Sequence, residues 1–278
     1  SEMCIRDRSC TFFGCSRMAS GIEVPFEGGE YYALKDVPHG DIRMKRYYSE
    51  VSRSWRRFFV YTPAGYDTRT DEKYPVLYLL HGGGEDERGW GTQGKTDLIM
   101  DNLIAAGKAK PMLVVMLDGN MPSAGFNAGA LKAFEAELMQ AVIPFVEDNY
   151  RVRKEADSRA LAGLSMGGIQ TLYAGLYHTD LFAHLGVFSS GWLPFYQKIA
   201  DDQYEFINKN KAAIDSQLRL LWIAMGGKED IAYQNCQNML KEFDTLKLKY
   251  TYSEYPGGHT WPVWRNNLYH FAQLLFNK

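Results

Sequence analysis

The chain has 278 residues, 46% of them hydrophobic and 23% charged, with a formal net charge of −2. This is the composition of a globular chain able to bury a large core, as one large α/β domain or two small ones. The near-neutral charge argues against nucleic acid or an anionic membrane as partner, and no apolar run approaches the ~20 residues of a transmembrane helix.

In chain order, residues 1–20, "SEMCIRDRSCTFFGCSRMAS", lack the long apolar stretch of a signal peptide and are expected to form a disordered or artefactual tail. This leaves room for an export signal upstream. Cys4, Cys10 and Cys15 fall here at spacings that match no common metal motif. Cys236 reads as a small buried hydrophobe. Residues 21–54 are polar and turn-rich and read as an extended lead-in, so the folded domain is expected over 55–278.

From there strands and helices alternate. Arg57–Tyr61 reads as a strand. Pro75–His81 and Met112–Leu117 are short continuous apolar runs, as in strands buried on both faces. Thr96–Ala106 and Leu131–Tyr150 have helical periodicity. Ser158–Leu164 is a strand followed by a helix over Met166–Tyr177. Strands are expected at Ala183–Phe188, Leu218–Met225 and Lys249–Tyr255. Helices are expected at Asp201–Ala213, Ile231–Leu246 and Trp261–Phe276, the last packing through Leu268, Phe271, Leu274 and Leu275. The alternation predicts an α/β fold with a mostly parallel central sheet flanked by helices on both faces. Ligands on such sheets bind beyond the carboxyl ends of the strands.

Four unusual stretches fall at those ends. Gly163-Leu164-Ser165-Met166-Gly167 fits G-x-S-x-G between a predicted strand and a predicted helix. There a serine hydroxyl stands clear of the sheet on a sharp turn that side chains two residues either side would obstruct. A serine nucleophile needs a base. His259, behind Gly257-Gly258 and after the last strand, is the candidate. His270 lies inside the closing helix and reads as structural, and His178 and His184 read as surface residues. The acid belongs after the preceding strand, where "GGKED" offers Asp230 and Glu229; Asp230 is favoured, and either carboxylate also suits the start of the next helix. The oxyanion donors are expected to be the amides of Met166 and of Gly83, with Gly84 the alternative, in the His81-Gly82-Gly83-Gly84 loop. His81 is expected to hold that loop in shape.

"LLHGGGEDERGW", "ALAGLSMGGIQTLYAGL", "GKED" and "GGHTWPVWRNNLYHFAQLLF" together resemble carbohydrate esterase family 1, the feruloyl and acetylxylan esterases related to esterase D and antigen 85. The resemblance runs from about Trp55 to Phe276. It implies an α/β-hydrolase fold, serine esterase chemistry without metal or cofactor, and the roles above for Ser165, His259 and Asp230. The lead-in resembles the segment that joins an upstream carbohydrate-binding β-sandwich to the esterase domain in two-domain members, and that domain is expected to be absent here. The resemblance also implies an exported enzyme, secreted or periplasmic. Its implied substrates are feruloylated arabinoxylan or small hydroxycinnamate esters. An acetylxylan or other small-acyl esterase, or an acyltransferase, is the alternative. Oligomeric state is open.

Aromatics in the active-face loops, Trp90, Trp192, Tyr196 and Trp261, are candidate substrate contacts. Trp192, Phe195 and Tyr196 in "SSGWLPFYQ" form the best candidate wall or lid. Asp118 and Asn120 read as loop-shaping first and substrate-contacting second.

Overall fold

The computed structural model describes residues 9–14, 17–22, 28–122 and 127–277. Its centre is an eight-stranded sheet. In chain order the strands are β3 (Asp41–Ser49), β4 (Ser54–Thr62), β5 (Val76–Leu80), β6 (Leu113–Leu117), β7 (Arg159–Leu164), β8 (His184–Phe188), β9 (Leu220–Met225) and β10 (Thr251–Glu254). They lie side by side in the order β10-β9-β8-β7-β5-β6-β4-β3. The six strands from β5 to β10 are parallel, while β4 runs antiparallel to β6 and β3 to β4.

The apolar runs explain why this sheet is covered twice. Along β5, Val76, Tyr78 and Leu80 join one core cluster and Leu77 and Leu79 the other. That is the period-two alternation of a strand with helices on both sides. The first layer contains α3 (Ala128–Glu137), α4 (Ile143–Asn149), α5 (Met166–Tyr177), α6 (Gln197–Lys209), α7 (Lys211–Gln217) and α8 (Tyr233–Thr245). The second contains α2 (Thr96–Ala105) and α9 (Trp261–Leu274), and α1 (Gly89–Thr92) contributes Trp90 to it.

The predicted elements from Arg57 onward are present with ends shifted by a few residues, except that the helix expected over Asp201–Ala213 is two, α6 and α7, separated at Asn210. The helix expected over Leu131–Tyr150 is α3 and α4 joined by a π turn at Leu138–Val142. Pro144, in the first turn of α4, has no N–H to return to Gln140, and the wider turn absorbs the defect. Of the apolar face expected on α9 and just beyond it, Leu268, Phe271 and Leu275 are buried, but Leu274 is exposed. His184 is not a surface residue. It opens β8 and is buried against Phe276, and burial pushes its imidazole down to about 4. His178 pairs with Glu135 at 2.6 Å, and His270 stacks on Tyr255. Cys236 lies in the core, where burial raises its thiol to about 12.

The N-terminal expectations need two corrections. The lead-in is part of the domain, because Asp41–Ser49 pairs with Ser54–Thr62 over its whole length as the edge of the sheet. Its upstream part also packs, with Tyr31 and Tyr32 against the α2–α9 layer. Of the expected tail, residues 1–8 and 15–16 lie outside the described residues, Cys4 and Cys15 among them. The rest is paired: β1 (Ser9–Gly14) and β2 (Arg17–Ile22) form an antiparallel two-stranded sheet of their own. Thr11, Phe12 and Phe13 favour extended chain.

Phe271 is the keystone of the second layer, fully buried between Trp222 and Phe188, with ring centroids at 5.8 and 5.5 Å. Phe271→Ala is expected to lower unfolding free energy by about 3–5 kcal/mol, read from urea denaturation midpoints. A loss under about 1 kcal/mol would show that α9 is not a principal support of the sheet.

Candidate active site

Ser165 sits between β7 and α5 with φ 52° and ψ −115°, a conformation that costs a non-glycine residue about 1–3 kcal/mol. The flanking structure holds it there. Its N–H donates to the Phe188 carbonyl at 2.9 Å, and its carbonyl accepts the Gly168 and Ile169 amides and the Ser190 hydroxyl, the last at 2.7 Å. The expected reason for the two glycines holds. A Cβ on Gly163 would meet the Gly167 backbone at 2.5 Å, and one on Gly167 would meet the His81 carbonyl oxygen and Leu80 Cβ at 2.6 Å. The Met166 amide, in the first turn of α5, has no acceptor inside the helix and faces the anion-favouring end of its dipole.

The base and acid come from the two neighbouring strand ends. His259 follows β10, and its Nδ1 lies 2.8 Å from Asp230 Oδ1. Asp230 follows β9 and is buried, while Glu229 is exposed, which settles which carboxylate partners the histidine. The two loops are tied together by the Gly227 amide, which donates to the Gly257 carbonyl at 2.6 Å. Burial pushes the Asp230 carboxyl up, but hydrogen bonds from His259 and the Ala232 amide outweigh it and leave the group below the ordinary carboxylate value. Asp230 therefore stays ionised at neutral pH, as a group that orients an imidazole and stabilises its cation must. The His259 ring also stands edge-on to Trp264, at 5.0 Å between centroids.

The glycine loop after β5 comes close to the serine: a Cβ on Gly82 would lie 3.4 Å from Ser165 Cβ. Gly83, next in the chain, is exposed on this edge. His81 is fully buried and shapes the loop as expected. Its Nε2 accepts the Gly119 amide at 3.0 Å, which leaves Nδ1 to donate to the Gly82 carbonyl at 2.8 Å. Asp118 and Asn120 are loop-shaping. Asp118 Oδ1 accepts from both the amide and the side chain of Asn120 at 2.9 Å, and Asn120 also donates to the Glu85 carbonyl.

Sequence reasoning missed Glu85. Its buried carboxylate accepts the Gly82 amide at 3.2 Å through Oε2 and the Trp261 indole N–H at 2.9 Å through Oε1. It thus joins the oxyanion loop to the start of α9, two residues past His259. Burial raises its carboxyl above the ordinary value, against the opposing pull of the hydrogen bonds from the Gly82 amide and the Trp261 indole.

The aromatic contacts fare unevenly. Trp90 is not a substrate contact: it is 1% exposed, donates to the Leu80 carbonyl at 2.8 Å and packs under the site against Trp261. Tyr196 is buried in the first core layer, and Trp192 nearly so, because both rings pack down onto the helices around β8. Phe195 is the aromatic of that stretch that faces solvent, at 62% exposure. Trp261 is half-buried and held by Glu85.

A sharp serine turn, a histidine–carboxylate pair and a glycine loop lie at one edge of the sheet, the kind of arrangement that serine hydrolases use. The family model described as putative esterase matches residues 49–273. The chain belongs to this family. Over 95% of its length it is 36% identical to an endo-1,4-beta-xylanase/feruloyl esterase of Xylanibacter ruminicola. It covers 35% of that protein and 24% of an endo-1,4-beta-xylanase Y of Acetivibrio thermocellus, so it spans about a quarter to a third of these relatives' length. Among solved structures, a CE1 ferulic acid esterase of Anaeromyces mucronatus in complex with ferulic acid is 25% identical, with a TM-score of 0.76 over 92% of this chain and 98% of that one. A mutant feruloyl esterase module of Clostridium thermocellum complexed with sinapinate is also 25% identical, with a TM-score of 0.76 over 93% of this chain and 95% of that one. The sheet order and helix layers described above are therefore those of an α/β-hydrolase.

Glu85→Gln keeps the shape but leaves one acceptor oxygen for two N–H donors. A hydrogen bond to a charged group contributes about 1.5–3 kcal/mol. The expected outcome is a fall in kcat for ester hydrolysis of about tenfold or more with KM little changed. Steady-state kinetics check it; an unchanged kcat would show that the bridge does not position the oxyanion loop.

Proposed function

We propose that this chain is a serine carboxylic ester hydrolase that cleaves feruloyl and related hydroxycinnamoyl esters of plant cell-wall polysaccharide. The observation that carries the chemistry is the His259–Asp230 hydrogen bond of 2.8 Å, at the same sheet edge as a serine held at positive φ. The acyl group is taken from the names of the relatives of known structure and sequence, which are feruloyl esterases, two of them bound to ferulic acid or sinapinate.

In this reading His259 Nε2 accepts the Ser165 proton as the hydroxyl oxygen attacks the ester carbonyl. The Met166 and Gly83 amides hold the negative oxygen of the tetrahedral intermediate. Collapse breaks the bond to the alcohol, which leaves with the proton from His259, and an acyl-serine remains. Water, deprotonated by His259, then attacks the acyl carbonyl, and the acid departs as Ser165 regains its proton. Asp230 keeps its charge throughout and stabilises the imidazolium.

The acyl wall in this reading is the segment after β8. Phe195 offers an exposed ring, and the Trp192 indole N–H is buried without a protein acceptor among the described residues. Such a donor suits a ligand that brings its own acceptor into the pocket.

The test is hydrolysis of methyl ferulate beside 4-nitrophenyl acetate by the wild type and by Ser165→Ala. The expected outcome is ferulate release by the wild type and loss of both activities in the variant. Cleavage of the acetate alone, abolished in the variant, would keep the serine and overturn the acyl assignment.

A further inference from the structure

We propose that the cleft between β4 and the loops after β5 and β6 is a binding subsite for the carbohydrate chain that carries the ester, with Trp55 as its stacking platform. This rests on the reading of the protein as a polysaccharide esterase. The cleft measures about 460 Å³, within the ~300–1,000 Å³ of small-molecule sites. It is distinct from the nucleophile pocket: among the described residues its walls include Trp55, Arg46, Asp86 and Asn120, and none of Ser165, His259 or Asp230.

Position comes first. β4 is antiparallel to its neighbour β6, so its first residues lie at the same edge as the carboxyl ends of the parallel strands. In the order β8-β7-β5-β6-β4, the Trp192–Phe195 segment follows β8 on one side of Ser165, and the cleft lies on the other. β7 and β4 are three strand spacings apart, about 14 Å. An ester attacked at Ser165 with its acyl group toward β8 directs its alcohol toward the cleft.

The cleft is also preformed. Its floor is Arg56, 7% exposed, which donates to the Asp118 and Asn120 carbonyls at 2.6 and 2.9 Å. Behind it the buried Glu137 accepts hydrogen bonds from Tyr47 and Ser49, at 2.7 and 2.5 Å, and lies 3.4 Å from Arg56. Arg57 pairs with the buried Glu87, and Gln170 from α5 donates to the Gly119 carbonyl at 2.7 Å. This network fixes the loops, and its paired charges leave little net charge to attract an ion.

What remains for a ligand is flat and polar at once. The Trp55 indole is 73% exposed and edge-on to the exposed Tyr48. Exposing this much aromatic surface at the start of β4, one strand in from the sheet edge, costs stability, and a bound face recovers it. Asn120 spends its amide hydrogens on Glu85 and Asp118, which leaves its carbonyl oxygen for a donor. Arg46 is exposed and makes no side-chain hydrogen bond or ion pair among the described residues, so its guanidinium is left to donate. A pyranose ring matches this set: one face of C–H bonds for the indole, and hydroxyls at its edge that both donate and accept.

The test is calorimetric titration of the full chain with ferulate-free arabinoxylo-oligosaccharide. The wild type is expected to bind saturably, Trp55→Ala to bind roughly five- to tenfold more weakly, and Arg46→Ala to lose affinity too. Both variants are expected to hydrolyse 4-nitrophenyl acetate as the wild type does. Absent binding, binding unchanged in Trp55→Ala, or competition by methyl ferulate for the same site would each overturn the proposal. The titration involves no hydrolysis. Failure to release ferulate from methyl ferulate would therefore sink the acyl assignment alone, and failure to bind the oligosaccharide would sink the subsite alone.

Discussion

The active site depends on one backbone constraint, the turn that carries Ser165 between β7 and α5. A residue at φ 52° and ψ −115° reverts to ordinary geometry unless its surroundings forbid it. Here they forbid it from three sides. Phe188 and Ser190 at the end of β8, Leu80 at the end of β5 and the amides of α5 all meet the turn. The glycines at 163 and 167 follow from this crowding. The strain is held by the two most central parallel pairings of the sheet, β7 with β5 and β7 with β8.

The rest of the site is arranged by what the same sheet edge brings together. Asp230 and His259 follow β9 and β10, and the Gly227–Gly257 hydrogen bond fixes one loop to the other. β5 supplies the glycine loop, and Glu85 locks that loop to Trp261 just beyond the histidine. A displacement of α9 is thereby felt at both ends of the reacting group. The packing of Phe271, Trp222 and Phe188 beneath is consequently part of the catalytic support as well as of the core.

What was legible in the sequence was what local rules control. Ser165 and Asp230 follow buried strands, His259 follows the alternating strand β10, and all three sit near glycines that allow a sharp turn, so a reader of neighbouring residues finds them. The parallel strands β5 to β9 are short apolar runs, legible by the same local rules. β3 was not legible, because an edge strand with Arg43, Lys45 and Arg46 in it carries no continuous apolar signal. Glu85 reads as an ordinary polar loop residue; its burial comes from a contact with Trp261, 176 positions away. Trp90 misleads in the opposite direction. Its loop position suggests exposure, but a single hydrogen bond to Leu80 and the ring of Trp261 draw it under the site.

The central claim is that Ser165 is the reacting group. Incubation of the full chain with a fluorophosphonate, followed by digestion and mass spectrometry of the peptides, tests it directly. The expected result is a single stoichiometric adduct on Ser165, slowed strongly when His259 is replaced by alanine. No adduct, or an adduct on another serine with Ser165 unmodified, would contradict the nucleophile assignment and the mechanism built on it.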